Sequence, residues 1–244
     1  MDFFLESIIL IILIIIQSIF GIGLLLLGTP TFLLLGYDFS NTLNFLLPSS
    51  IAISYLQFIN LKTPSKKIIF EYNIFCLPFL IFFLLIALIF KEALNFEFYV
   101  AIILIISSLL VLKKNTFFLK TKNIVKHRKF ILIFIGTIHG LTNMGGGFLS
   151  IFSSLINKNN KKLTRHFIAY GYLVMGLLQY FILLSLEYKN LNFSKIYYIF
   201  IVFLIYFPSQ KIFKKFNNFL FGKIISIIAL FYGIIILILN FYAN

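Results

Sequence analysis

One stretch of this 244-residue chain sets hydrogen-bonding side chains and glycines together inside an apolar run: His139-Gly140-Leu141-Thr142-Asn143-Met144-Gly145-Gly146-Gly147-Phe148-Leu149-Ser150. Each glycine costs a helix about 1 kcal/mol relative to alanine. In a bilayer the break also frees N–H and C=O groups that lipid cannot satisfy, so it survives only where protein or a water-filled cavity surrounds it. The stretch therefore reads as a broken helix lining a site. Close helix packing alone would ask for small residues four apart, not three in a row.

The chemistry on offer is binding. Gly145, Gly146 and Gly147 let the backbone approach a ligand, and Thr142, Asn143 and Ser150 can donate side-chain hydrogen bonds. A helix that restarts after a break presents unpaired N–H groups and a positive dipole end, which attract anions. His139 is the ionisable residue set deepest in an apolar run, a functional candidate by its placement. It titrates near neutral pH, which suits coupling to protons; the alternative is a neutral ring bonded to a neighbouring helix. His127 and His166 fall in basic gaps and read as interfacial.

Other function classes find little here. No G-x-S-x-G, no H-E-x-x-H and no carboxylate pair within a span is present, so an enzyme is not expected. No P-loop signature occurs, which argues against an ATP-driven pump. The lone Cys76 excludes a disulfide framework and offers no metal-type spacing, so neither a metal nor another cofactor is expected. A channel, or an assembly subunit that transports nothing, remains as the alternative to a transporter.

Composition sets the environment. With 61% hydrophobic residues, 11% charged and a mean hydropathy of +1.05, the chain lies far from soluble usage, where about a quarter of residues are charged. A polytopic all-α membrane protein, multi-pass with the lipid bilayer as its solvent, is expected. The net charge of +14 sits in short gaps between apolar runs, which reads as topology signalling and not as nucleic-acid binding. Asp2 and Glu6 flank the first run where a signal peptide would be basic, and no A-x-A-like site follows, so that run is expected to be retained.

The elements that must position the glycine stretch follow from the apolar runs. Phe3 to Leu35 is longer than the roughly 20 residues one crossing needs and is interrupted at Gly21-Ile22-Gly23 and again at Gly28-Thr29-Pro30. Leu43 to Ile59, Ile68 to Phe90 and Phe96 to Leu112 follow as spanning helices. After a basic gap, Phe130 to Ile156 repeats the interrupted layout, and Phe167 to Leu186, Phe193 to Phe207 and Phe219 to Phe241 repeat the helices. Laying Gly145 on Gly23 offsets the halves by 122 residues and brings Leu149 onto Leu27, Leu155 onto Leu33, Gln179 onto Gln57 and His139 onto Gln17. Residues 1–122 and 123–244 are therefore expected to be two membrane repeats within a single integral domain.

Charge then decides orientation. If every run crosses once, giving eight crossings, the basic gaps Lys158 to Arg165 and Lys211 to Lys215 fall opposite Lys62 to Lys67 and Lys113 to Lys129, against the positive-inside tendency. If each interrupted run is a re-entrant hairpin, all four gaps become cytoplasmic and both termini external. Each half then crosses three times, and the halves are inverted. Discontinuous helices meeting near the midplane are the architecture of many secondary transporters. Pro48-Ser49-Ser50 and, at the same offset, Tyr170-Gly171-Tyr172 are expected to be unwound or small-residue positions facing the breaks. Gln57 and Gln179 suit either a substrate contact or an interhelical hydrogen bond.

The repeated breaks, Gly21-Ile22-Gly23 with Pro30 and Asn143-Met144-Gly145-Gly146-Gly147, resemble the G-x-G-G-G-type signature of the TauE/SafE sulfite-exporter family. The resemblance extends over nearly the whole chain in segment number and duplication. Leu24 and Leu25 stand in place of further glycines, Asn143 in place of the leading Gly and Phe152 in place of the usual Pro. It implies a bacterial inner-membrane permease for a small sulfur-containing anion such as sulfite or an organosulfonate. Substrate contacts are expected from Gly21, Gly23, Thr29, Ser49, Ser50, Thr142, Asn143, Gly145, Gly146 and Gly147, with His139 as the coupling candidate. Substrate, direction, coupling ion and oligomeric state leave no readable pattern.

Overall fold

The computed structural model describes residues 3–59, 65–112, 125–157, 160–191, 193, 196–215 and 218–243. Parts of three basic gaps, residues 60–64, 113–124 and 158–159, lie outside the described residues. The described chain is helical between short connections: α1 Phe3–Phe20, α2 Leu24–Leu34, α3 Phe39–Ile59, α4 Lys66–Phe75, α5 Leu77–Ile89, α6 Phe96–Leu112, α7 Arg128–Thr142, α8 Gly146–Ile156, α9 Lys161–Glu187, α10 Tyr198–Lys215 and α11 Asn218–Ala243. Among the described residues, three helical stretches are long and apolar enough to cross a membrane: Phe39–Ile59, Lys66–Ile89, which is α4 with α5, and Lys162–Asn190.

Both interrupted runs break and fold back. Gly28 in α2 packs beside Leu13 of α1, where a Cβ would come within 3.1 Å of Leu13 Cδ1. At the open end of this hairpin the Tyr37 hydroxyl bonds to the Glu6 carboxylate. A continuous helix would hold residues 13 and 28 about 22 Å apart at its 1.5 Å rise per residue. In the second half Phe134 of α7 and Phe148 of α8 stack edge-on at 5.2 Å. The returning arms α2 and α8 are 11 residues each, about 16 Å and half of a roughly 30 Å hydrocarbon core. Nine residues of α2 are buried, which makes it an inner helix apolar on all sides.

Helix boundaries keep the 122-residue step: the ends of α1 and α2 and the starts of α2, α3 and α6 lie 122 residues before the matching ends of α7 and α8 and starts of α8, α9 and α11. Packing keeps it too. The two hairpins' first arms exchange partners, α1 lying along α10 and α7 along α5, while α2 rests on α3 and α8 on α9. The corresponding helices α3 and α9 pack against each other and run antiparallel, for Gly176 faces Ile51 while His166 faces Phe58.

Charge sorts to the two ends of the bundle. Lys66, Lys67, Arg128 and Lys162 start helices at the end where α3 finishes, and Lys211 and Lys215 close α10 there. Arg128 pairs with Glu71 at 2.5 Å. At the opposite end lie Glu6, Asp38 and the pair of Lys91 with Glu187, 2.6 Å apart. Between the ends, outer helices expose large apolar side chains such as Phe82, Phe181, Phe200, Leu204 and Phe231.

Several local expectations are corrected. Gly28-Thr29-Pro30 interrupts nothing, because α2 runs through it; Gly28 serves packing, a Cβ there meeting Leu46 Cδ2 at 2.8 Å. Pro48-Ser49-Ser50 and Tyr170-Gly171-Tyr172 are helical, not unwound. The run from Ile68 to Phe90 is two helices meeting at Cys76, with Pro78 in the first turn of the second. The helix expected from Phe193 begins at Tyr198 and extends to Lys215.

Candidate functional site

At the second break, α7 ends at Thr142 and Asn143 takes a left-handed conformation with φ 61°. Its N–H closes the helix on His139 O at 2.8 Å, the αL capping geometry that Gly and Asn tolerate best. The leading position of the glycine signature is thus one that asparagine can fill. The Gly145 N–H then donates to His139 Nδ1 at 3.1 Å. With Nδ1 accepting, the ring's Nε2–H donates to Gln179 Oε1 at 3.0 Å. His139 is neutral in this arrangement, and both nitrogens are used. It ties the restart of α8 to the end of α7.

Around this turn, buried polar groups lack partners. Asn143 Nδ2 donates to Thr29 Oγ1 of α2 at 3.1 Å, while Asn143 Oδ1, Gln179 Nε2 and Tyr172 Oη have none. Tyr172 Oη lies against Gly146, where any Cβ would overlap it. A Cβ on Gly147 would instead meet Leu26 Cδ1 and Ser107 Cβ at ordinary contact distance, 3.5 and 3.6 Å. No side chain caps α8. Each buried group without a partner costs about 1–3 kcal/mol, so the three groups here leave hydrogen-bonding capacity unused beside the second break.

The first break is built from glycines that only glycine can replace: Gly21 at φ 79° and Gly23 at φ 133°. Gln57 Nε2 donates to Gln17 O at 2.8 Å, and Gln17 Nε2 to Ser50 Oγ at 3.0 Å. Three side chains converge on the Ser18 carbonyl: Arg165 Nη2 at 2.6 Å, Gln210 Nε2 at 3.2 Å and Gln57 Nε2 at 3.5 Å. The Arg165 guanidinium stacks 3.8 Å from the Phe213 ring centroid. Gln17 Oε1, Gln57 Oε1, Ser18 Oγ and Arg165 Nε find no partner.

The expected contacts therefore separate. Gly21, Gly23, Thr29, Ser50, Asn143, Gly145 and Gly146 lie at the breaks or bond to groups there. Thr142 and Ser150 turn their hydroxyls onto Ile138 O and Gly147 O of their own helices, each at 2.8 Å. Ser49 is buried one residue from Ser50. Gln57 and Gln179 make interhelical bonds.

Sequence reasoning missed Arg165 and His166, which it assigned to an interfacial basic gap. Both are buried, 4% and 1% exposed, and His166 stacks on Phe58 at 4.8 Å. Asn160 was the available signal. Its side chain accepts from the Lys162 and Leu163 N–H groups, and such an N-cap starts the helix nearly two turns before the apolar run. That carries Arg165 into the bundle. Gln17 was placed opposite His139 but not recognised as part of a break.

No protein-family model, curated protein or solved structure matches this chain.

Proposed function

We propose that this chain is a bacterial inner-membrane permease that moves a small anion by alternating access, its site formed by the two hairpin tips. The observation that carries the reading is the opposed pair of tips. Each holds an uncapped helix N-terminus among buried polar groups without partners. They reach opposite sides of the Ile51–Gly176 contact, one bonded to Gln57 and the other to Gln179.

This arrangement supports six crossings with two re-entrant hairpins: α3, α4 with α5, and α6, then α9, α10 and α11. The basic end faces the cytoplasm. The kept 122-residue step and the antiparallel α3 and α9 support two inverted repeats, since a transmembrane helix and its repeat run antiparallel only when the halves are inverted. Freeing the tip at Gln57 opens the site to one side, and freeing the tip at Gln179 opens it to the other.

Anion chemistry rests on the helix N-termini and on Arg165. Sulfite is the first substrate to try, in keeping with the glycine signature. Proton coupling through His139 requires Nδ1 to give up the Gly145 N–H, because a protonated ring can only donate. Uptake of radiolabelled sulfite into proteoliposomes tests the reading. Saturable uptake that an imposed pH gradient accelerates supports it; uptake no greater than in protein-free liposomes overturns it.

A further inference from the structure

We infer that the first break is a binding station for an oxyanion that keeps at least one O–H, held by the Arg165 guanidinium from the opposite half of the chain. The inference deepens the permease reading and rests on it for the link to transport. Capping the Ser18 carbonyl does not explain Arg165, since Gln210 and Gln57 already donate to the same oxygen. Arg165 is 4% exposed, and the ion pairs among the described residues, Lys91 with Glu187 and Arg128 with Glu71, do not include it. A buried cation without a carboxylate is strongly unfavourable unless something else supplies the negative charge. Arg165 Nε retains a donor without a partner.

The position of that charge is informative. A Cβ built on Gly21 would lie 3.5 Å from Arg165 Cγ and 3.6 Å from Gln57 Oε1, so both side chains lie against the break that precedes the uncapped α2. The first N–H groups of α2 have no partner within their own helix, and Gly23 brings no side chain to cap them. Charge, backbone N–H groups and a free guanidinium N–H together make an oxyanion site.

The acceptors refine the class. Gln57 must turn its amide N–H₂ toward Gln17 O, because a carbonyl can only accept; that leaves Gln57 Oε1 as an unpaired acceptor. Gln17 Oε1 is left in the same way by the bonds to Ser50. A fully deprotonated anion would meet these two oxygens with lone pairs only. An anion that keeps at least one O–H donates to them, so hydrogen sulfite and dihydrogen phosphate fit, and sulfate does not.

Phosphate and sulfate, alike in shape, separate the alternatives. The full chain carrying Ile22→Cys is placed in phosphatidylcholine nanodiscs, where the native Cys76 is buried, and its rate of maleimide labelling is followed. Sodium phosphate near pH 6 is expected to slow labelling at a concentration about tenfold below that of sulfate, the equivalent of one hydrogen bond, with chloride at matched ionic strength inert. Adding Arg165→Gln abolishes the protection. So does Gln57→Glu, a second variant that leaves Arg165 in place and keeps the test decisive if Arg165→Gln does not fold. Equal protection by sulfate overturns the protonated class, and full phosphate protection in either variant overturns the site. Protection in phosphatidylglycerol discs without added phosphate overturns the free ion in favour of a lipid headgroup. Phosphate protection without any sulfite or phosphate flux in proteoliposomes keeps the station and overturns the permease; flux with protection unchanged by Arg165→Gln does the reverse.

Discussion

Gln57 and Gln179, 122 residues apart, perform the same act: each reaches back 40 residues to the last turn of a hairpin's first arm, Gln57 to the Gln17 backbone and Gln179 to the His139 ring. Gln17 and His139 are themselves 122 residues apart. Each half thus fastens its broken helix to its own first long helix, α3 or α9, by one carboxamide. The fastenings differ in direction: the Gln57 amide donates to a carbonyl, whereas the Gln179 carbonyl accepts from the imidazole Nε2–H.

Replacing either glutamine with leucine therefore loosens a hairpin. Gln179→Leu leaves the His139 Nε2–H unpaired, costing about 1–3 kcal/mol. Gln57→Leu removes one of two donors from Gln17 O, which keeps the Gly21 N–H, and costs about 0.5–1.5 kcal/mol. Thermal unfolding followed by size-exclusion fluorescence should show a loss for each, the larger for Gln179→Leu. A loss confined to one variant would contradict the equivalence of the two fastenings.

Neighbouring glycines at the second break should behave differently. Gly146→Ala drives a methyl into Tyr172 Oη and must displace α8 or α9, whereas Gly147→Ala meets ordinary contacts. Gly146→Ala is expected to abolish sulfite flux and to lower thermal stability by about 1–3 kcal/mol, the cost of overpacking. Gly147→Ala should stay within about 1 kcal/mol, since it adds a methyl without overlap. Comparable damage from both would contradict the close fit of Tyr172 on Gly146.

Orientation is open to a labelling test. Glu92→Cys, beside Lys91, lies at the acidic end and Lys162→Cys at the basic end, and both positions are exposed. In intact cells an impermeant maleimide should modify the first and spare the second. Labelling of Lys162→Cys would return the chain to single crossings by every run.

Protonation of His139 breaks its acceptor bond with the Gly145 N–H. His139→Gln installs the residue that the first half carries at the equivalent position, Gln17. Flux in this variant should persist but lose its response to an imposed pH gradient. A response as large as in the unaltered chain would remove His139 from coupling and leave it as the residue that joins α7 to α8.

Breaks were legible in the sequence where the backbone itself demands them. Gly21 and Gly23 adopt φ values closed to other residues, and Asn143 sits in the one left-handed position asparagine fills well. The 122-residue step was legible because boundaries and polar residues repeat with no gap. Proline and glycine misled where packing overrides propensity: Pro30, Pro48 and Gly171 stay helical because neighbouring helices enclose them. Arg165 and His166 were illegible as site residues because hydropathy assigns a charge next to an apolar run to the interface. Only the Asn160 cap shows that the helix has begun, and the groups that fold over Arg165, Gln210 and Phe213, come from α10 nearly fifty residues away.

Counterflow tests the central claim most directly. Proteoliposomes loaded with unlabelled sulfite are diluted into a trace of radiolabelled sulfite, and entry of label is followed. Alternating access predicts that label accumulates transiently above its equilibrium level, because each inward-facing carrier that releases label returns with unlabelled anion. Label that only equilibrates, at a rate indifferent to the internal load, would contradict a permease and point to a channel. No entry above protein-free liposomes would contradict transport of this anion by the chain.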